Sequence, residues 1–176
     1  MRIAQHKRSI AILHCDIVEF SRLTAQNEDS TFYAVRNAFL QANDFVSNAH
    51  GEIINTAGDS FLAIFPTAQG AILASQNIQR YLSLISRTQP EDQHVRVRMG
   101  IHVGDALVEG EQALGNDVNI AARLQEIAPP GGIFISETAY AQINNEDKQR
   151  YKAMGSKLLR HITNPVNAYL LQTGSE

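Results

Sequence analysis

Residues 52–65, EIINTAGDSFLAIF, decide how the rest of this chain is read. Two runs of strand-forming residues, 52–56 and 60–65, flank the tight pair Ala57-Gly58, a pattern that predicts a β-hairpin. Asp59 stands at the turn with bulky apolar residues directly behind it. Burying a lone carboxylate is very costly, so Asp59 must be solvated at the tip, paired, or bound to a cation. Ordinary turn chemistry is the commoner reason for an isolated turn aspartate. Against it stand a second acidic residue, Asp16, at the end of another strand, and a helix carrying Asn119 and Arg123.

Upstream of the hairpin, residues 9–17 alternate Ile10, Ile12 and His14 with Ala11, Leu13 and Cys15. Apolar residues on both faces predict a central strand, ended by Asp16. Residues 19–30 read as a loop, and 30–49 as a helix with the stripe Phe32, Val35, Phe39, Ala42 and Val46. Asp29 or Ser30 is its expected N-cap and Gly51 its stop. Downstream, 67–87 is a helix burying Ala71, Ala74, Ile78, Leu82 and Ile85, followed by a polar loop at 88–93. A strand is expected at 95–102, and the turn Gly104-Asp105 leads to a second hairpin with 106–108. A loop at 109–116 precedes a helix at 117–128, stopped by Pro129-Pro130. A strand at 132–136, a short helix at 137–143, and two strands about the Asn164-Pro165 turn complete the chain.

The order β-α-β-β-α-β with C-terminal additions predicts an α+β, ferredoxin-like fold, an antiparallel sheet with helices on one face. Residues 1–176 are expected to form a single domain, a length that buries a sizeable core. Fold alone decides no function.

Composition narrows the classes. With 44 % hydrophobic and 19 % charged residues the chain has an ordinary globular balance. A net charge of −3 argues against a general nucleic-acid or membrane-surface binder. The single cysteine, Cys15, has no intrachain partner and reads as a buried small hydrophobe, which fits a reducing compartment. No apolar run approaches a membrane span, and the N-terminal apolar segment is too short for a signal peptide. A cytoplasmic location is expected.

Asp16 and Asp59 both lie where a strand gives way to a loop, and in a split β-α-β arrangement these ends are neighbours. Two hard oxygen ligands suit Mg²⁺, which keeps waters and takes oxygens from a substrate phosphate. No His–Cys cluster at metal spacing is present, so zinc is not expected. Asn119 and Arg123, four apart, share one helix face, while Ile120, Leu124 and Ile127 occupy another. An amide beside a guanidinium is a donor array suited to phosphate oxygens and a ribose. A helix ion pair from Arg123 to Glu126 is the plainer alternative.

The stretches LHCDIVEFSRL, INTAGDSFLAIF, VRMGIHVGD and ALGNDVNIAARLQ resemble, in order and spacing, the class III nucleotidyl cyclases, the adenylate and guanylate cyclases. The resemblance runs over about residues 9–171. It implies that Asp16 and Asp59 are the two metal carboxylates, with the backbone carbonyl of Ile17 as a further ligand. Arg98 corresponds to an arginine that binds the polyphosphate. Asn119 and Arg123 correspond to the pair that orients the ribose and stabilises the transition state. Arg160 falls, less closely, where the family places a phosphate-binding lysine. Two Mg²⁺ ions per site are implied, with Mn²⁺ able to substitute. So is a head-to-tail homodimer, one subunit giving the aspartates and the other the asparagine–arginine helix. The implied reaction is attack of the ribose 3′-oxygen on the α-phosphorus of ATP or GTP, releasing pyrophosphate and the 3′,5′-cyclic monophosphate.

The pattern breaks at the base. The family's base-reading lysine, four residues before the second metal aspartate, is Asn55 here; its aspartate or threonine partner is Gln112. Two amides can pair with either purine, so base choice is expected to relax, with ATP favoured over GTP. Base contacts act alike in ground and transition states, so KM should suffer more than kcat. Glu19 replaces a small residue beside the metal loop and is expected either to be solvated or to crowd the triphosphate. Two other readings remain: a regulatory or dimerisation module of the same fold with weak or no turnover, and a different two-metal enzyme such as a diguanylate cyclase or polymerase palm.

Overall fold

The computed structural model describes residues 8–91 and 94–172. Part of the expected loop at 88–93, and the stretch 1–7 read for a targeting signal, lie outside the described residues. In chain order the elements are β1 (Arg8–Ile17), α1 (Phe20–Gln26), α2 (Glu28–Asn48), β2 (Glu52–Ala57), β3 (Ser60–Phe65), α3 (Ala68–Ser86), β4 (Val97–Glu109), β5 (Gln112–Leu114), α4 (Asn116–Ile127), β6 (Ile133–Ser136), α5 (Glu137–Ala141), α6 (Asn145–Lys148), β7 (Tyr151–Lys157) and β8 (Val166–Leu171). The sheet runs β2-β3-β1-β4-β6-β8-β7, with β5 paired to β4. Adjacent strands are antiparallel except β4 and β6, which run parallel.

β1 is central because both of its faces are apolar. Ala11, Leu13, Cys15 and Ile17 point into a core with Val35, Ala38, Ala42 and Val46 of α2 and Ala71, Ala74 and Ile78 of α3. Ile10 and Ile12 point the other way, into a cluster with Ala106 and with Ala121 of α4. Ile12, Leu13, Phe61, Met99 and Ile101 are all fully buried. Side chains of that size each contribute about 1.5–3 kcal/mol when taken out of water. Helices therefore cover both faces of the sheet, which corrects the expectation of one covered face. The reason lies in β4, where Gly100 and Gly104 leave the second face low enough for a helix backbone to settle. A methyl at Gly100 would stand 2.3 Å from the Ala121 carbonyl oxygen and 2.4 Å from the Gln125 nitrogen.

Other boundaries moved for identifiable reasons. The loop expected at 19–30 contains α1, which buries Leu23, and α2 starts earlier because Asn27, not Asp29 or Ser30, caps it by accepting from the Ser30 nitrogen. Phe32, placed on the buried stripe, is exposed instead. The chain turns out of α2 at His50, with φ +60°, while Gly51 is required for close packing: a Cβ there would lie 2.3 Å from the Phe65 ring. Gly104-Asp105 is not a turn. β4 runs straight through it because β1 pairs as far as Arg8 with Ala106, and the hairpin reverses later, at Gly110 with φ +56°. On α4, Ile127 is exposed rather than buried.

Candidate active site

Strand alternation and register build the site. Asp16 lies on the α4 side of β1, directly opposite Arg98 on β4 and Ser60 on β3. The Ile17 nitrogen donates to the Asp59 carbonyl at 2.9 Å, so the end of β1 and the β2–β3 turn are joined backbone to backbone. Gly58, at φ +60°, makes that turn tight. Asp16, Ile17 and Asp59 thus lie at adjoining strand ends. Two carboxylates and a carbonyl at adjacent strand ends fit a magnesium-type ligand set that leaves positions for water and phosphate. Among the described residues no group of three or more His, Cys, Asp or Glu side chains gathers at metal-binding distance. A site here would complete its shell from substrate and solvent.

Asp16 is held on two sides. Its Oδ2 accepts from Arg98 Nη2 at 2.9 Å and from Gln125 Nε2 at 3.3 Å. Arg98 also donates from Nη1 to the Glu126 carbonyl at 3.4 Å, which aims the guanidinium along the groove between β4 and the end of α4. His14, two residues before Asp16 on the same face, is pushed below the ordinary histidine range by burial, the negative charge of Asp16 pulling the other way. Burial pushes the neighbouring Cys15 thiol up, so it stays protonated and inert. Glu19, in left-handed backbone at the entrance to α1, is exposed to solvent, the first of the two expectations. Its carboxylate pairs with Arg22 at 2.9 Å and with Arg96 at 3.8 Å, and the Arg22 hydrogen bond holds it below the usual range.

α4 carries the donors. Asn119 is exposed and Arg123 partly covered, one turn apart on the same face, as the spacing predicts. Arg123 Nη1 donates to Glu126 Oε1, so the helix ion pair weighed as the plainer alternative is present. Arg160, in the turn after β7, brings Nη2 to the same Glu126 oxygen at 3.5 Å. The N-terminus of α4 is pinned by Asp117, whose Oδ2 accepts from the Asp105 nitrogen at 2.7 Å and whose Oδ1 lies 3.1 Å from His102 Nε2. An ionised carboxylate only accepts, so Nε2 must carry the proton, and Nδ1 then accepts from the Ser136 hydroxyl at 2.8 Å. Gly104 makes this possible, since a Cβ there would meet the Asp117 carboxylate at 2.4 Å.

The two base-reading candidates also come together. Asn55 on β2 donates from Nδ2 to the Glu111 carbonyl at 3.5 Å, beside Gln112 at the start of β5. Sequence reasoning missed Gln125 as a partner of Asp16. The available signal was an amide in the buried phase of α4, in step with Ala121, Leu124 and Ala128. It also missed His102 and Asp117, which no local pattern distinguishes from an ordinary strand and helix start.

Among the described residues, no helix is long and apolar enough to cross a membrane. Residues 3–173 match the model of the adenylate and guanylate cyclase catalytic domain. A putative adenylate cyclase 3 of Rhizobium meliloti is 29 % identical over 93 % of this chain, which spans 28 % of that relative's length. A solved adenylate/guanylate cyclase/hydrolase of Silicibacter pomeroyi shares the fold with a TM-score of 0.85 at 28 % identity, over 96 % of this chain and 99 % of that one. The adenylyl cyclase CyaB of P. aeruginosa has the same architecture, with a TM-score of 0.83 at 19 % identity over 97 % of this chain and 96 % of its own. With the family model spanning nearly every residue that builds the groove between β1, β4 and α4, this chain belongs to the adenylate and guanylate cyclase catalytic-domain family.

Proposed function

We propose that this chain is the catalytic domain of a nucleotide cyclase that converts a purine nucleoside triphosphate, ATP in preference to GTP, into its 3′,5′-cyclic monophosphate and pyrophosphate. The observation that carries this reading is the backbone hydrogen bond that joins Ile17 to Asp59 beside Asp16, with Asp16 on the sheet face that α4 packs against and Asn119 and Arg123 on the opposite, outward side of that helix.

The residues divide the work as follows. Asp16, Asp59 and the Ile17 carbonyl would hold two Mg²⁺ ions, with Mn²⁺ as a substitute. When bound, such a pair lowers the cost of ionising the attacking 3′-hydroxyl and neutralises charge on the leaving oxygens. Arg98 and Arg160 grip the polyphosphate. Asn119 orients the ribose, and Arg123 meets the charge that develops on the transferring phosphorus, a preorganised donor that acts mainly in the transition state. Asn55 and Gln112 face the base.

Asp16 and Arg123 are each paired within one chain, to Arg98 and Gln125 and to Glu126 respectively. In the head-to-tail homodimer of this reading, whose sites are shared between two copies, the neighbouring copy would redirect these groups. A groove of about 400 Å³ is lined by Ile127, Pro129, Phe134, Met154, Lys157, Leu158 and Leu170, and Leu158 is 84 % exposed. A second copy is the occupant this reading assigns to it.

The same internal pairings also favour the second reading, a cyclase-fold regulatory module with weak or no turnover. Product formation from ATP and from GTP, with Mg²⁺ or Mn²⁺, measured across protein concentrations, separates the two. Cyclic nucleotide formed at a specific rate that falls steeply on dilution supports the shared-site enzyme. Nucleotide binding without product under every condition supports the module.

A further inference from the structure

We infer that Glu126 is the resident counter-anion of two arginines with different work, Arg160 on the polyphosphate and Arg123 on the transferring phosphorus: it holds them together before substrate arrives and yields them to the triphosphate. Arg123 shares α4 with Glu126, but Arg160 arrives from a turn thirty-four residues further along the chain, and both guanidinium groups meet the same oxygen, Oε1. Two cations drawn to one point repel each other unless an anion lies between them. Glu126 is also an acid in the last turn of α4, a turn without any basic residue of its own. A carboxylate beside the negative end of a helix is unfavourable unless cations compensate it. Here they do: Arg123 and Arg160 take the side chain, and Arg98 takes the Glu126 carbonyl at 3.4 Å. The carboxylate is 41 % exposed, so it is free to swing away, whereas Arg123 is 22 % exposed and stays largely in place.

Triphosphate binding is then an exchange, in which phosphate oxygens displace one carboxylate from two arginines. Glu126 is a positioning residue in this scheme, acting through Arg123 and Arg160. The inference rests on the proposed roles of those arginines as phosphate ligands.

The test is binding of magnesium pyrophosphate by calorimetry, with KM and kcat for ATP alongside. Glu126→Gln keeps the shape and removes the competing charge; it should bind pyrophosphate about 3–5-fold more tightly, the value of one partly exposed ion pair. KM should fall by a similar factor, and kcat should not rise, because Arg123 loses its brace. Glu126→Ala should show the same gain in affinity, and adding Arg160→Ala to Glu126→Gln should remove much of it. Pyrophosphate binding that is unchanged or weaker in both single variants overturns the inference and leaves Glu126 a structural brace. Arg160→Ala separates this from failure of the wider reading. If Arg160→Ala binds pyrophosphate as well as the parent, its phosphate role fails; if it binds more weakly while Glu126→Gln gains nothing, only the role of Glu126 fails.

Discussion

Gln125 reaches from the last turn of α4 to donate to Oδ2 of Asp16 at 3.3 Å, so the helix that bears Asn119 and Arg123 also touches the carboxylate that ends β1 of its own chain. The amide is 3 % exposed and cannot find water as a substitute. Replacing it with Leu should cost about 1 kcal/mol of stability, the net worth of one such bond. A double-mutant cycle in denaturant with Asp16→Ala should return a coupling of about the same size. Strict additivity would show that the contact does not form in solution.

Asp59→Ala and Arg123→Ala should each remove most turnover. Arg123→Ala loses one preorganised donor to a developing charge, which costs about 3–4 kcal/mol in the barrier, or roughly 100- to 1,000-fold in kcat, and Asp59→Ala loses a ligand of the proposed metal pair. Both residues lie outside the apolar clusters, so the unfolding midpoint should barely move. Turnover near the parent level in either variant would refute its assigned role.

Gly100→Ala should destabilise the chain although it adds only a methyl group. The new Cβ would sit 2.3 Å from the Ala121 oxygen and 2.4 Å from the Gln125 nitrogen, both of them helix backbone that no rotamer change can clear. Overpacking of this kind costs about 1–3 kcal/mol, read from the shift of the urea midpoint at constant slope. Because relief requires α4 to lift, kcat should fall with stability.

Stability should fall on acidification through the buried histidines. His102 has its pKa lowered from 6.5, first by burial, with the hydrogen bond and charge of Asp117 opposing. Above pH 6.5 it is neutral folded and unfolded alike, and its contribution is complete. Below that, the unfolded chain takes up a proton that the folded chain refuses, so stability declines until the lower folded pKa is reached. His14 acts in the same direction. His102→Gln should flatten unfolding free energy against pH just below 6.5, by up to about 1.4 kcal/mol per pH unit. An unchanged slope would mean that His102 does not titrate differently in the two states.

Base selectivity should sharpen when charge is restored. With Asn55 and Gln112 both amides, Asn55→Lys together with Gln112→Asp should lower KM for ATP and raise ATP-over-GTP selectivity by about 1–3 kcal/mol, the scale of a good bidentate base contact. Little change in kcat is expected, since the phosphate groups are untouched. Equal effects on ATP and GTP would show that these side chains do not read the base.

Much of the arrangement was legible in the residues. The hairpin around Gly58, the two-sided apolar strand β1, the α3 stripe and the placement of Asn119 and Arg123 on one face all follow from local periodicity, because a side chain's direction is fixed by its position in a strand or helix. The short helix α1 was not legible. Its sequence is polar throughout apart from Phe20, Leu23 and Ala25, and it stands because Leu23 finds the α2 side of the core. Gly104-Asp105 carries a turn's composition but not a turn's surroundings. Ten residues of pairing with β1 keep β4 extended through it, a long-range effect that no local propensity reports.

The amino-acid sequence by itself determined most of the elements, the two acids at strand ends, the amide–guanidinium helix and the departures at Asn55 and Gln112, since each depends on residue type and spacing along a few turns of chain. Tertiary structure alone decided that α4 lies on the second face of the sheet, that Gln125 holds Asp16, and that Arg123 and Arg160 meet at Glu126. Gln125 to Asp16 joins positions 109 residues apart, and Arg160 to Glu126 positions 34 apart. Only close packing against Gly100 and Gly104 brings such distant groups within hydrogen-bonding reach.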